Sequence, residues 1–340
     1  MTDEAPLDLT RRSILSFRRR VGALDERLPR GRRSLRGVAW AGLQDSMPRA
    51  ALLSIHARVE GAETTTWEDP SLVQLWGPRY SAYVVAARDV AVFTIGRLPD
   101  EAAARQYAQD LAFRLAAVLG GQRMPYGRAG TMLGEHPNAL RYAAPTATVL
   151  MRWDGARQPV IWSVEAPDVD PHRARLELAR RFIHIFGPAT PQSFGAWAGI
   201  GAGPASAAFR DLRRSLTRVR TPIGERWILT SDEPGFRAAP GPDAPARLLP
   251  SGDAYFLLHG EDRELLVPDA HRRAALWTPR VWPGALLIEG EILGTWRRSQ
   301  NKMSIETWRR VSRGARDAVE AEAASLPLPG PNPAVVRWDN

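Results

Sequence analysis

The third quarter of the chain has the clearest pattern of apolar and polar positions. An Asp-Pro pair at 170–171 is typical of a helix start, and apolar residues then recur at helical spacing, which predicts a helix from about 171 to 186. Two further helices are predicted over SFGAWAGI and PASAAFRDLRRSL. TRVRTPIGERWILTS then predicts two short strands about a turn at 222–225. Three helices followed by a hairpin is the element order of a winged helix.

The same order is expected near the start of the chain. Helices are predicted near 10–22, 35–43 and 48–59, and they precede the segment SAYVVAARDVAVFTIG. That segment is predicted to form two apolar strands that meet at Arg88-Asp89. The first part of the chain is therefore predicted to be another winged-helix unit.

A middle unit is predicted between these two. A long helix is expected from Pro99 to about Leu119, followed by a glycine-rich basic loop, GGQRMPYGRAGTMLG. TVLMRWDGARQPVIWSV contains an Asp-Gly pair at 154–155 and predicts a hairpin. The repetition rests on the order of elements, since no internal sequence repeat accompanies it.

The C-terminal part has a different pattern. PGFRAAPGPDAPAR predicts a linker, and RLLPSGDAYFLLHG, ELLVP, GALLIEG and EILGTWRR predict strands before a closing helix over 311–326. PLPGPNPAVVRWDN is predicted to be a tail with little structure of its own. The whole is thus an α+β chain of tandem winged-helix units with a strand-rich C-terminal part. The predicted boundaries are 1–98 for the first unit, 99–166 for the winged-helix-like second unit, 167–233 for the third unit, 234–247 for the linker, 248–326 for the C-terminal part and 327–340 for the tail.

Composition and charge narrow the function. The 340 residues include no cysteine, which removes disulfides, thiolate zinc sites and cysteine nucleophiles. With neither a signal peptide nor a long apolar run, a soluble cytoplasmic protein is expected. The formal charge is +9, and arginines cluster between Thr10 and Arg58. Because such a surface attracts polyanions, nucleic acid is the first partner to consider and anionic lipid the second.

Three stretches carry a resemblance to a known family. AGLQDSMPRAALLSIHARV at 41–59, FIHIFGPATPQSFGAWAGI at 182–200 and the LLPSGDAYFLL and PGALLIEGEILGTWRR blocks within 248–298 together resemble the bacterial AlkZ-like winged-helix DNA-binding family. Characterised members are DNA glycosylases that remove bulky N-alkylated bases and unhook interstrand crosslinks. The resemblance covers roughly residues 10–325. It implies three tandem winged helices and a strand-rich C-terminal part around a basic DNA channel.

The resemblance also implies a catalytic motif. In the family it is a glutamine, an aliphatic residue, and then a glutamine or aspartate, and here Gln44, Asp45 and Ser46 occupy those positions. Gln44 would orient the water that attacks C1′, and Asp45 would act as base or electrostatic stabiliser of the oxocarbenium-like state. The alternative for Asp45 or Ser46 is structural. Either side chain could accept backbone N–H groups in the first turn of the next helix.

Further residues are candidates for DNA contact, each with a structural alternative. Arg49 and His56 are predicted to share a helix face that reaches into a groove, although a surface arginine and a core-edge histidine explain them equally well. The glycine-rich loop suits close approach to a strand or to a flipped base, and the later arginine cluster suits phosphate contact or a solvated face. The candidate DNA-binding residues are Arg49, His56, Arg123, Tyr126, Arg128, Arg210, Arg213, Arg214, Arg218 and Arg220.

The favoured hypothesis is a DNA-binding protein that excises N-alkylated bases. The alternative is a non-catalytic DNA binder or transcription regulator that has lost the glycosylase motif, and a third class is a partner-binding scaffold. Double-stranded DNA, alkylated DNA included, is the expected partner of a monomer. The six histidines show no ligand spacing with Asp or Glu, so neither a metal nor a cofactor is expected.

Overall fold

A computed structural model describes residues 7–155, 157–241, 244–328 and 334–339 and shows a mixed α+β fold. The α-helices are α1 (Arg11–Val21), α2 (Arg32–Val38), α3 (Ala50–His56), α4 (Val90–Phe93), α5 (Ala102–Leu119), α6 (Tyr126–Leu133), α7 (Pro171–Phe186), α8 (Pro191–Ala198), α9 (Ala202–Asp211), α10 (Glu233–Arg237), α11 (Asp262–Leu266), α12 (Ala270–Leu276) and α13 (Arg313–Ala324). The strands are β1 (Leu7–Asp8), β2 (Leu43–Gln44), β3 (Leu72–Trp76), β4 (Ala82–Ala86), β5 (Met124–Pro125), β6 (Val149–Arg152), β7 (Val160–Ser163), β8 (Leu216–Thr221), β9 (Gly224–Leu229), β10 (Arg247–Leu249), β11 (Gly284–Ile288), β12 (Glu291–Ser299), β13 (Lys302–Thr307) and β14 (Val335–Asp339).

Within these residues the strands form several small sheets. Three sheets have three strands each, in the orders β2-β4-β3, β5-β7-β6 and β1-β8-β9, and each contains one antiparallel hairpin. A larger sheet has the order β10-β11-β12-β13-β14 and forms the C-terminal part. The small sheets follow one another along the chain, as the element order predicted.

The third quarter of the chain forms the predicted elements because its helix ends are well specified. The Asp170 side chain accepts from the backbone N–H of Arg173 at 2.8 Å and caps α7, which spans the predicted residues. Thr190 caps α8 in the same way. β8 and β9 pair as far as Thr221 and Gly224, so the hairpin has a two-residue turn.

One apolar core joins the first and third units to the C-terminal part, and the second unit has a core of its own that also includes Trp76 of β3. The centre of the first core is an aromatic cluster in which the Phe182 ring lies 5.0 Å from Phe186 and 5.2 Å from the fully buried Trp197. Tyr83 from the first sheet and Phe256 from the C-terminal part belong to the same cluster of buried residues. The units are therefore packed together through shared core contacts.

The N-terminal helix packs beside the last of the small sheets. β1 pairs parallel with β8, with Leu7 opposite Val219. Phe17 of α1 stacks on Phe236 of α10 with ring centroids 3.8 Å apart. The helix predicted near 10–22 is therefore present, and it packs against elements more than 200 residues away in the sequence.

The predicted hairpin in SAYVVAARDVAVFTIG is wrong. Its first half is β4, which pairs with the upstream strand β3, and its second half is the helix α4. Asp89 is buried and its carboxylate pairs with Arg181 at 2.8 Å, so Arg88-Asp89 is not a solvated turn. A short apolar run does not distinguish a buried strand from a buried helix by its periodicity.

Two other local predictions are also wrong. The glycine-rich segment is mostly ordered as β5 and α6 instead of a loop. The ELLVP segment lies in α11 and the residues after it, and the DAYFLLHG residues form turns, so neither is a strand. The ELLVP segment is dominated by leucine, which has a high helix propensity.

The C-terminal tail has more structure than predicted. β14 pairs parallel with β13, with Val335 opposite Lys302, and the indole N–H of Trp338 donates to Glu320 at 2.8 Å. Residues 329–333 and 340 of the predicted tail, and residues 242–243 of the predicted linker, lie outside the described residues. The linker's remaining middle has neither helix nor strand. No helix in the described ranges is long and apolar enough to cross a membrane.

Candidate functional site

The segment Gln44-Asp45-Ser46 leaves the edge of the first sheet and leads into α3. Gln44 of β2 lies opposite Tyr83 of β4, and the backbone N–H of Asp45 donates to the carbonyl of Ala82 at 2.7 Å. Because side chains alternate along an extended strand, Gln44 and Ser46 lie on one side and Asp45 on the other. Their exposure agrees, since Gln44 is half-buried, Ser46 is exposed and Asp45 is buried.

Asp45 has both carboxylate oxygens occupied inside the protein. Oδ1 accepts from the backbone N–H of Ala51 at 2.9 Å, and Oδ2 accepts from Nε2 of Gln74 at 2.7 Å. The bond to Ala51 satisfies the first turn of α3, so the predicted capping role of Asp45 is confirmed. Burial raises the pKa of Asp45 to about 6, against the opposing effect of these two hydrogen bonds.

Gln74 connects this segment to the hairpin of the next sheet. It lies on β3, is 2% exposed, and its Oε1 accepts from the backbone N–H of Trp153. A side chain on Gly155 would clash with Pro48, so the tip of the β6–β7 hairpin lies directly against the start of α3. The strand β3, the β6–β7 hairpin and the helix α3 therefore all contact the segment around Asp45.

The carboxamide of Gln44 is held in one orientation. Its Nε2 donates to Oγ of Ser46 at 3.1 Å, and its Oε1 accepts from Nη2 of Arg79 at 3.1 Å. The Tyr83 hydroxyl lies 3.5 Å from the same oxygen. Gly252 packs against the other side, where a Cβ atom would lie 3.2 Å from the carboxamide carbon. These contacts engage both ends of the carboxamide, and the neighbouring Ser46 is exposed.

Arg79 connects Gln44 to His259. Its other terminal nitrogen, Nη1, contacts Nε2 of His259. Burial lowers the pKa of His259 to about 4, and the charges of Arg79 and Arg263 act in the same direction. The ring is therefore neutral at neutral pH, with Nε2 accepting from Arg79 and the proton on Nδ1.

A surface cleft of about 340 Å³ begins at Met47, the residue that follows Ser46 in the chain. Its walls come from the start of α3 and from the C-terminal part, and they combine apolar groups with two arginines. The cleft is lined mainly by Met47, Pro48, Pro250, Ser251, Trp282, Arg297 and Arg298. An apolar cleft with cationic side chains next to a fixed carboxamide can hold a planar ring attached to an anionic backbone.

Comparison with known proteins identifies the family. A sequence profile described as DNA glycosylase AlkZ-like matches residues 38–327. The chain belongs to this AlkZ-like DNA glycosylase family. The structure of Streptomyces sahachiroi DNA glycosylase AlkZ is similar over 98% of this chain and 100% of that one, with a TM-score of 0.77 and 18% identity. At that identity the likeness shows a shared fold. No protein with a curated description matches the sequence.

In this AlkZ-like chain, the motif expected from the resemblance has an unusual middle position. An aliphatic residue is expected there, and Asp45 occupies the buried position that such a residue would fill. Gln44 and Ser46 occupy the two positions that face outward. The carboxylate of Asp45 therefore does not stand in for the polar group missing at Ser46, because it points to the opposite side of the strand.

The shared outward face expected for Arg49 and His56 is not formed. The guanidinium of Arg49 lies 5.1 Å from the Trp67 ring, near the start of α3. His56 is 6% exposed, and its Nε2 lies 3.2 Å from the guanidinium of Arg27 and 3.1 Å from the hydroxyl of Ser325. His56 therefore belongs to the junction with α13, and it occupies a core-edge position.

The residues predicted in a glycine-rich loop lie at the start of α6 and just before it. Arg123 is exposed and its guanidinium lies 4.4 Å from the Trp162 ring of β7. Tyr126 is half-buried, and Arg128 is exposed on the first turn of α6. Arg123 and Arg128 therefore remain available at the surface, on a scaffold that is more rigid than a loop.

The arginine cluster of the last small sheet is exposed throughout. Arg213 lies over the Trp227 ring at 4.4 Å, which fixes its guanidinium beside the β8–β9 hairpin. Three of the others have only loose ion pairs of 3.6 Å with neighbouring carboxylates. The exposed members are Arg210, Arg213, Arg214, Arg218 and Arg220.

Several residues around Gln44 were not predicted from the sequence. Gln74, Arg79 and His259 are 30, 35 and 215 positions away from it, and none stands in a recognisable motif. They meet because β3, the turn after it and the C-terminal part pack against one another. Within the described residues, no group of three His, Asp or Glu side chains is arranged to hold a metal ion.

Proposed function

We propose that this chain is a DNA-binding protein of tandem winged-helix units that excises N-alkylated bases from double-stranded DNA. It acts as a monomer in the cytoplasm, and Gln44 is the side chain that holds the attacking water. The observation that carries the proposal is the fixed carboxamide of Gln44, which lies on the same side of β2 as the exposed Ser46, just before the residues Met47 and Pro48 that line an apolar, cationic cleft. Family membership supports the same conclusion.

The chemistry needs few groups. An N-alkylated base is cationic and leaves without an acid catalyst, so the protein has to position a water molecule and tolerate an oxocarbenium-like sugar. Arg79 donates to the Gln44 Oε1 at 3.1 Å and the Tyr83 hydroxyl lies 3.5 Å from the same oxygen, so a hydrogen of the water would take the place of the long Tyr83 contact. Asp45 acts as a positioning residue in this proposal, since its carboxylate holds α3 and Gln74 instead of the water.

The winged-helix assignment is supported by element order. The first two units have a helix, a short strand, further helices and then a hairpin, with β2 and β5 as the short strands. In the third unit, an isolated bridge between Ala189 and Trp227 takes the place of that strand, between α7 and α8. Winged helices have this order, and their helices and hairpins contact DNA grooves and backbone.

The proposed DNA interface combines the cleft with arginines of the three units that are exposed or half-buried. Phosphate contacts by these side chains would provide most of the affinity, so binding should weaken steeply with salt. His56 is left out because it is buried. The proposed interface consists of Arg49, Arg123, Tyr126, Arg128, Arg210, Arg213, Arg214, Arg218 and Arg220.

A second candidate is a DNA binder without catalytic activity. It is favoured by Ser46, whose hydroxyl already accepts from Gln44, and by the inward orientation of Asp45. In such a protein the arginine surface would be used and the carboxamide would contact DNA without assisting hydrolysis. Both candidate functions predict DNA binding, and only the first predicts excision of the alkylated base.

The deciding experiment is single-turnover excision on a duplex that carries one N7-alkylguanine, at low salt. Wild type should give strand breaks after alkaline treatment, and Gln44→Ala should slow excision by about 100-fold or more, because one oriented transition-state contact is removed. Gln106→Ala changes an exposed glutamine on α5 and serves as the matched control. Tight binding of the duplex without an abasic product would instead support the non-catalytic candidate.

The binding surface has its own test. Arg213→Ala together with Arg214→Ala should reduce duplex affinity about tenfold and lower the magnitude of the salt slope by about 2. A double Arg309→Ala, Arg313→Ala variant, which removes the same charge from exposed positions within the C-terminal part, is the control. If the Arg213→Ala, Arg214→Ala variant kept the wild-type salt slope, these arginines of the third unit would not be part of the DNA interface.

A further inference from the structure

A cavity of about 220 Å³ lies behind the strand that carries Gln44. It is enclosed by the C-terminal end of α1, by α2, by α7 and by the backbone at Gly42, which lies two residues before Gln44. Its apolar wall includes Val21, Leu28 and Val38. Three arginines line it, and no aspartate or glutamate among the described residues does. The lining therefore carries positive charge only.

Two of the three arginines are accounted for without a ligand. Arg58 makes two hydrogen bonds of 2.7 Å with the carboxylate of Asp253, which is 1% exposed and neutralises it. Arg20 is exposed, so solvent hydrates its guanidinium at the edge of the cavity. The remaining positive charge belongs to Arg18.

Arg18 is buried with most of its donors unused. It is 2% exposed, and Nη2 donates to the carbonyl of Tyr255 at 2.9 Å. Within the part of the chain that the structure describes, Nε and Nη1 have no hydrogen-bond acceptor. Burial lowers the pKa of Arg18, while the electrostatic effects of Tyr255, whose ring centre lies 5.6 Å from the guanidinium, and of Asp262 oppose this change. A guanidinium keeps its charge inside a protein, so this arrangement is costly unless an anion balances it.

We propose that the Arg18 cavity is a binding site for a small oxyanion of the phosphate class. Such an anion would supply the missing negative charge and several acceptor oxygens for the free N–H groups of Arg18, with Arg20 at the entrance. Water fills hydrogen bonds but leaves the charge unbalanced. The site is distinct from the cleft that begins at Met47, and the proposal does not depend on glycosylase activity.

Thermal unfolding in sodium phosphate against sodium chloride at equal ionic strength tests the site. Wild type should show a saturable rise in Tm of about 3 °C that is specific to phosphate, because the anion binds only the folded state. Arg18→Met should abolish this rise, and in chloride alone it should unfold at the wild-type temperature or above, because an unbalanced buried charge has been removed. Arg12→Met alters an exposed arginine of α1 and should keep the full phosphate effect.

A direct measurement covers the case in which Arg18→Met does not fold. Crystals of the wild-type protein soaked in selenate should show an anomalous peak within hydrogen-bond distance of Nε or Nη1 of Arg18. No peak there, or an equal Tm rise in chloride, would overturn the proposal. Repeating the phosphate titration with saturating duplex DNA distinguishes the source of the anion. If a backbone phosphate of the DNA occupies the site, the DNA should remove the Tm rise caused by added phosphate. If the natural ligand is a free anion, the rise should remain.

Discussion

Two buried aspartates hold the helix α3 at its two ends, and they differ in their partners. Asp45 binds the first turn through the backbone N–H of Ala51 and receives a second hydrogen bond from Gln74. Asp253 accepts from the hydroxyl of Ser54 at 2.6 Å and makes a two-point ion pair with Arg58. One carboxylate is balanced by a full positive charge, and the other has only neutral donors.

The difference separates an ion-paired carboxylate from one whose buried partners are all neutral. The Arg58–Asp253 pair is almost fully buried, with side-chain exposures of 4% and 0%, and joins α3 to the C-terminal part. Asp45 has no ion pair among the described residues, and burial raises its pKa to about 6. The candidate functional segment is therefore attached to α3 through a carboxyl group whose pKa is raised to about 6, whereas the opposite end is held by a buried ion pair.

The largest effect is expected from Arg58→Ala. It leaves the carboxylate of Asp253 buried without its counter-charge, which should lower the free energy of unfolding by about 3–5 kcal/mol. Urea unfolding followed by tryptophan fluorescence measures this loss. Arg30→Ala breaks the exposed Arg30–Glu63 pair and should cost less than about 1 kcal/mol. Equal losses in the two variants would mean that burial does not distinguish these ion pairs.

The titration of Asp45 should be visible as a difference between wild type and Asp45→Asn. The folded-state pKa is about 6 against 3.8, so the contribution of Asp45 is fully present below pH 4 and is lost as pH rises through 6. Wild-type stability minus variant stability should fall by roughly 3 kcal/mol between pH 4 and pH 7.

Two histidines change the pH dependence of stability in the opposite direction. For this reason the stability of wild type is compared with that of Asp45→Asn at each pH. Burial lowers the pKa of both His56 and His259 to about 4, so each stabilises the fold above pH 6.5 and that stabilisation is lost as pH falls through 4. These contributions are present in wild type and in Asp45→Asn, and they cancel when one stability curve is subtracted from the other. A difference that stays constant from pH 4 to 7 would contradict the assignment to Asp45.

The sequence predicted the fold best where local signals were strong. The helix α7 and the hairpin that follows α9 are both present where caps, prolines and apolar spacing indicated them. The prediction for residues 81–96 was wrong because the second half of this segment is almost entirely apolar. Only tertiary packing decides whether such a run forms a strand or a helix. The sequence did not predict β14 because this strand pairs with β13, which lies more than 25 residues upstream.

The candidate site was only partly predictable for a related reason. Gln44 was indicated by the family resemblance, and the capping role of Asp45 follows from the proline and apolar helix that come after it. Arg79 and His259 reach Gln44 only because two distant segments pack together, and no spacing along the chain indicates that contact. His56 looked like a groove-facing residue because helix periodicity shows which residues share a face but not what covers that face.

A medium effect is expected when the neutral partner of Asp45 is removed. Gln74→Met leaves Oδ2 of Asp45 and the backbone N–H of Trp153 without partners and should destabilise the protein by about 2 kcal/mol. The pKa of Asp45 should rise further, so the pH-dependent loss of stability should move to higher pH. Gln106→Met, at an exposed position, should change stability by less than about 0.5 kcal/mol.

The smallest effect should come from Ser54→Ala at the other aspartate. It removes one donor from Asp253, but the ion pair with Arg58 and the hydrogen bond from the backbone N–H of Tyr255 at 2.9 Å remain. The expected loss is about 1 kcal/mol, less than for Gln74→Met, because a carboxylate that keeps its counter-charge tolerates the loss of a neutral donor. Urea unfolding of both variants at pH 7 gives the comparison. If Ser54→Ala were the more damaging change, neutral hydrogen bonds would matter more at the charged anchor than at Asp45, and the proposed distinction between the two ends of α3 would be lost.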